Sequence, residues 1–310
     1  MGVVVWVLLL PGITSDSPET ELIHKVVLFA VLFVVPLGLS LIEPDGGVSL
    51  YRLTMFVQPI AALFTVASLF FPPGPLAAVL ASVWFIFTML VALLGVMRFA
   101  SRGLYPLHES SIDAGLLYLT VAGGWLVIYR FGVQPFGYGE TIILLTVVHF
   151  HFAGFASPII AGLNGRALAL RKHPQKIFAV SMFAIVAAMP LVAAGITFSP
   201  WIGFAGTLLL SAGLWLLALL TVGWVMPAIQ SSGKRLLLLI GALSSCSAMV
   251  LACLYAYSLA TKTLIVNIPT MAMTHGLLNA FGFVTCSLLA WTTFRLRSVA
   301  TQELRSPHAR

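Results

Sequence analysis

GETIILLTVVHFHFAGFASPIIAGL (residues 139–163) reads as a helix crossing a lipid bilayer. Glu140 stands at its start, and no further Asp, Glu, Lys or Arg follows in the stretch. A crossing helix needs about 20 predominantly apolar residues, which this stretch supplies. Two histidines, His149 and His151, fall near its middle. Holding an imidazole at that depth is costly, so such a residue normally lines a cavity, a proton path or a cofactor site.

Eight more stretches have the same character: about 22–42, 53–71, 75–98, 112–131, 176–198, 201–227, 235–260 and 265–294. The breaks between them carry helix-stopping residues, as in EPDGG (43–47), FPPGP (71–75), RKHPQK (171–176) and QSSGKR (230–235). Proline lacks the N–H a helix needs, and glycine gains most entropy when freed. The pattern predicts an all-α, polytopic transmembrane bundle of nine spans, with residues 1–310 forming one integral membrane domain. No loop is long enough for a soluble domain. The opening MGVVVWVLLLPG is apolar but short. It leaves three readings for residues 1–14: an interfacial segment, a cleaved leader, or a tenth span.

Composition agrees. Of 310 residues, 60% are hydrophobic and only 8% charged, against about 25% charged in a soluble domain. The mean hydropathy is +1.06. The chain therefore takes the lipid bilayer as its partner and solvent, in the cytoplasmic (inner) membrane, as a multi-pass protein. A net charge of +7 would suggest nucleic acid in a soluble protein. Here there is no basic stripe with interleaved aromatics, and basic residues collect instead in cytoplasmic loops. With the N-terminus outside, Lys25, Arg130 and Lys262 fall on the outer side and the other thirteen of the sixteen Lys and Arg on the inner side. The split predicts an N-out, C-in arrangement. Cys246, Cys253 and Cys286 all lie inside spans without a CxxC pair, so neither a disulfide framework nor a zinc finger is indicated.

A third intramembrane histidine, His275, lies in MAMTHGLLNAFGF (271–283), with Asn279 one turn on and sharing its face. Counted from the same side, His149, His151 and His275 lie about ten residues, roughly 15 Å, into their spans. His149 and His151 point about 200° apart on an ideal helix, so both face one centre only if the helix is unwound, and Gly154 and Pro158 follow closely. Glu140 reads either as the mouth of a proton or cation path leading to His151 or as an anion favoured at a helix N-terminus. His24, His108, His173 and His308 read as solvated residues of loops and ends.

VHFHFAGF (148–155) and THGLLNAFGF (274–283) resemble the YndJ-like family of bacterial polytopic membrane proteins. The resemblance adds weight to His149, His151, His275 and Asn279. It implies a polytopic protein, sometimes labelled a transporter, and supplies no cofactor or substrate. P-loop, GxSxG and HExxH motifs are absent.

Three functions follow. A carrier or permease for a small neutral or hydrophobic molecule would use His149, His151, His275, Asn279 and Glu140 as its pathway. A charged substrate would call for a buried acid or base, and only Glu140 stands out as one. Alternatively, His149, His151 and His275 would ligate a metal or haem in a membrane-embedded oxidoreductase. A non-catalytic assembly or sensory factor is the third reading, with the histidines as interhelical hydrogen-bonding residues.

Overall fold

A computed structural model describes residues 2–15, 17–45, 47–170 and 174–292. Arg171, Lys172, Arg295, Arg297, Arg305 and Arg310 of the charge count, and His173 and His308, lie outside the described residues, as do 293–294 of the last predicted stretch.

The described residues form helices and loops only. Among the described residues, nine helices are long and apolar enough to cross a bilayer. We label these α2 (Pro18–Ser40), α3 (Val48–Leu69), α4 (Pro75–Arg102), α5 (Leu107–Phe131), α6 (Glu140–Ala169), α7 (Gln175–Thr197), α8 (Pro200–Ala228), α9 (Ser232–Thr261) and α10 (Ile268–Thr292). Each covers one of the nine predicted stretches. The short helix α1 (Gly2–Gly12) precedes them. Its eleven residues reach about 17 Å, too little for a 30 Å hydrocarbon layer. Among the described residues it is therefore not a tenth span. It lies along α2, where the Trp6 indole N–H donates to the Lys25 carbonyl (2.7 Å) and its ring meets Phe29 and Phe281.

Large apolar side chains such as Phe56, Val79 and Leu243 are exposed on the outside of the bundle. Exposed apolar surface on this scale suits a chain whose solvent is lipid. Inside, helices approach closely where side chains are small. At the α7–α8 hairpin, a Cβ built on Gly195 would sit 2.1 Å from the Gly203 Cα. Backbone cannot yield as a side-chain tip does. Gly195→Ala is therefore expected to cost about 1–3 kcal/mol, the range for overpacking, read as a lower unfolding midpoint in detergent. An unchanged midpoint would show that these helices do not pack as described.

Four spans change from α to π-helical pitch part-way. Three of these segments end two residues before a proline: Ala30–Val34 before Pro36, Phe150–Ala156 before Pro158, and Thr221–Val225 before Pro227. Proline supplies no N–H to the preceding turn, and the backbone widens to re-satisfy what it can. Side chains assist: Gln58 Nε2 donates to the Val31 carbonyl (3.0 Å), and the Ser157 hydroxyl to the Phe152 carbonyl (3.2 Å). The fourth case is α10, π-helical over Ala272–Gly276 and Leu278–Thr285 with no following proline. Its pitch is supported by the Thr285 hydroxyl on the Ala280 carbonyl (2.7 Å), five residues back.

Candidate functional site

His149 closes the α-helical part of α6, immediately before the π segment. His275 and Asn279 lie in the π-helical part of α10. The π-helical parts of α6 and α10 pack against one another. His275 is held by a neighbour: its Nδ1–H donates to the Ala248 carbonyl of α9 (2.8 Å). A carbonyl only accepts, so this contact places the proton on Nδ1 and leaves Nε2 as an acceptor. The Asn279 amide lies against the ring, 3.2 Å from Nε2, and also donates to the His275 carbonyl (3.0 Å). His149 Nε2 is buried and has no hydrogen-bond partner among the described residues. An orphaned buried nitrogen is uncommon and calls for a reason.

His151 belongs to a different environment. It is fully buried. Its Nδ1–H donates to the Val147 carbonyl (2.8 Å), and its Nε2 accepts from the Trp84 indole N–H of α4 (3.2 Å). Both ring nitrogens are used. The widened pitch begins at Phe150 and does not bring the two histidines of α6 to one face. The proposed three-histidine ligand set is therefore not assembled. Among the described residues, no group of three His, Cys, Asp or Glu side chains is arranged to hold a metal ion.

Glu140 takes the second of its two readings, an anion in the first turn of a helix. It is exposed, in the first turn of α6. With Tyr129, Gln134 and Ile143 it lines an open cavity of about 170 Å³ at that end of the bundle. Its neighbour there is Tyr129, not His151. Behind the cavity, the Tyr129 hydroxyl and His24 Nε2 share a 2.6 Å hydrogen bond. His24 is thus buried within α2 rather than solvated. Arg130, counted above as a loop charge, is also buried, and its guanidinium donates to the Ser68 (2.9 Å) and Phe71 carbonyls at the C-terminal end of α3. Cations belong at that end of a helix dipole.

The buried acids lie at the opposite end of α5. Arg98 is 0% exposed. Its Nε donates to Asp113 (2.7 Å) and its Nη2 to Glu109 (2.6 Å), while Nη1 lies 3.3 Å from Asp45. Arg102 pairs with Asp113 and with Asp45 (3.2 Å). Arg166 of α6 pairs with Glu109 (2.8 Å) and donates to the Leu41 carbonyl (3.2 Å). Three guanidinium groups thus meet three carboxylates. His108 sits against this cluster, 3.8 Å from Glu109, and is not a free loop residue. The expectation that only Glu140 could be a buried acid is overturned, because Glu109 and Asp113 are buried and Glu140 is not. A signal existed in the sequence. Arg98 and Arg102, then Glu109 and Asp113, are i,i+4 pairs of opposite sign flanking a short turn. Each pair sits where its helix dipole favours it.

Nine membrane-length helices among the described residues, two of them carrying half-buried histidines part-way along, define a polytopic α-helical membrane protein with intramembrane polar residues. The family described as YndJ-like protein matches residues 25–283, and the chain belongs to that family. It is 27% identical over 286 residues to the uncharacterized membrane protein YndJ of Bacillus subtilis (strain 168). That match covers 90% of this chain and 50% of the relative, so the chain spans about half the relative's length. No solved structure matches.

Proposed function

We propose that the protein is a carrier or permease for a small neutral or hydrophobic molecule, with its binding site between α6 and α10. The observation that carries this reading is the unpartnered His149 Nε2 on α6, which packs against the π-helical part of α10 that holds His275 and Asn279. A guest carrying one or two hydrogen-bonding groups would satisfy these atoms. The π-helical pitch of both walls supports it, since such segments recur at functional sites. A neutral guest fits because Glu109 and Asp113 are already paired with arginines.

A carrier site must open to water. The test is thiol accessibility at positions 149 and 275, in a background with Cys246, Cys253 and Cys286 replaced by alanine. A small water-soluble methanethiosulfonate is expected to modify His149→Cys and His275→Cys in membrane vesicles, while His151→Cys stays protected. Protection of all three from both faces would overturn the reading.

A second reading has its own supporting observation. A metal-ligating histidine commonly donates its other ring N–H to a carbonyl, as His275 does to Ala248. His149 and His275 would then be two imidazole ligands for a metal or haem. A Soret band or stoichiometric metal in purified protein, lost in His149→Ala and His275→Ala, would favour this reading over transport.

A further inference from the structure

Away from the histidines, four side-chain oxygens, one from each of four helices, line a small internal cavity: Asn164 of α6, Thr221 of α8, Ser245 of α9 and Ser287 of α10. All four residues are at most 5% exposed. The cavity measures about 10 Å³, close to the smallest volume that takes one water molecule.

The hydrogen bonds fix which atoms face it. The Thr221 hydroxyl donates to the Leu217 carbonyl (2.7 Å). Its oxygen must therefore accept from Asn164 Nδ2 (2.7 Å), which sets the orientation of the amide. Asn164 Oδ1 is then a buried acceptor with no partner among the described residues, and Ser245 Oγ is likewise buried and unpartnered. Gly241 gives the Ser287 hydroxyl its place, since a Cβ there would lie 2.5 Å from Ser287 Oγ. An orphaned acceptor and an orphaned hydroxyl on one cavity of this size are complementary to a molecule that both donates and accepts.

We propose that this cavity is a specific site for a single water molecule. It donates to Asn164 Oδ1, accepts from the Ser245 hydroxyl, and takes a third bond at Ser287 or Thr221. Two to four such bonds are the usual number for a buried water. A sodium ion would find oxygen ligands too, but no carboxylate lines the cavity to offset its charge. The water joins α6 and α9, and either α10 or α8, through an exchangeable molecule. Two residues of the cavity sit at π segments, with Thr221 opening the one in α8 and Ser287 just beyond the one in α10.

The test is a structure of the full chain in lipid nanodiscs at a resolution that shows waters, paired with X-ray hydroxyl-radical footprinting. The expected result is one density peak about 2.6–3.2 Å from Asn164 Oδ1 and Ser245 Oγ, absent in Asn164→Leu. Radical oxidation of Phe283, which lines the cavity, should be several-fold faster in the parent than in that variant. Fully buried Phe87 serves as the dry control. A well-ordered parent map without the peak, or Phe283 oxidised as slowly as Phe87, would overturn the proposal. So would oxygen contacts near 2.4 Å with an unfolding midpoint that rises in sodium but not in potassium, which would make the guest a cation.

Discussion

Replacing Arg98 with leucine is expected to destabilise the protein by about 3–5 kcal/mol, the range for removing one partner from a buried ion pair. Arg98 is inaccessible and reaches all three acids of the cluster. Without it, Asp113 keeps Arg102 and Glu109 keeps Arg166, so three carboxylates share two cations, and two of those carboxylates, Glu109 and Asp113, lie away from bulk water. The penalty comes mainly from the uncompensated charge left behind, not from the net worth of the pairs. Arg98→Lys should fall between parent and leucine variant, because an ammonium cannot present the planar fork that reaches Asp113 and Glu109 together. The measurement is the unfolding midpoint and the monodisperse fraction of each variant in mild detergent. If Arg98→Leu and Arg98→Lys both match the parent, the cluster is a solvated surface feature and its description here is wrong.

The two histidines of α6 are expected to respond in opposite ways. His151→Leu removes the acceptor of the Trp84 indole N–H, which is fully buried. Leaving that donor unsatisfied costs about 1–3 kcal/mol. His149→Leu removes a nitrogen that is buried without a partner, so its stability should equal or exceed the parent's. If the site is functional, the cost of His149→Leu appears in ligand-dependent stabilisation or transport, not in folding. Thermal unfolding of the two variants side by side decides this. Equal destabilisation by both would mean that His149 is as firmly bonded as His151. A loss confined to His149→Leu would reverse the assignment.

Two residues apart, these histidines look equivalent in VHFHFAGF, and the 200° between them says only that they diverge. Which one meets a neighbour depends on how α6 is rotated against α4 and α10. The Trp84–His151 bond joins residues 67 apart in the chain, and His24–Tyr129 joins residues 105 apart. Pairings at such separations leave no periodicity to read. The acids were missed for a related reason. Glu109 falls in the turn before the stretch 112–131 and Asp113 at its very start, so both look like charges of a helix end, and only the packing of α4, α5 and α6 turns them inward.

By itself the sequence determined where the chain crosses the membrane. The stretch 75–98 corresponds to Pro75–Arg102 and 176–198 to Gln175–Thr197. A bilayer requires each crossing to be a continuous apolar window with its backbone bonded internally, so the signal lies wholly within each segment. The π segments of α2, α6 and α8 each precede a proline, but Pro59 of α3 and Pro190 of α7 lie in helices that keep α pitch, so proline alone does not place them. Only the tertiary structure decided that α1 lies against α2, that His149 Nε2 is left without a partner while His151 serves Trp84, and that Arg98 is neutralised by three acids. Those outcomes depend on helix rotation and on partners from distant segments, which the hydropathy of one segment does not encode.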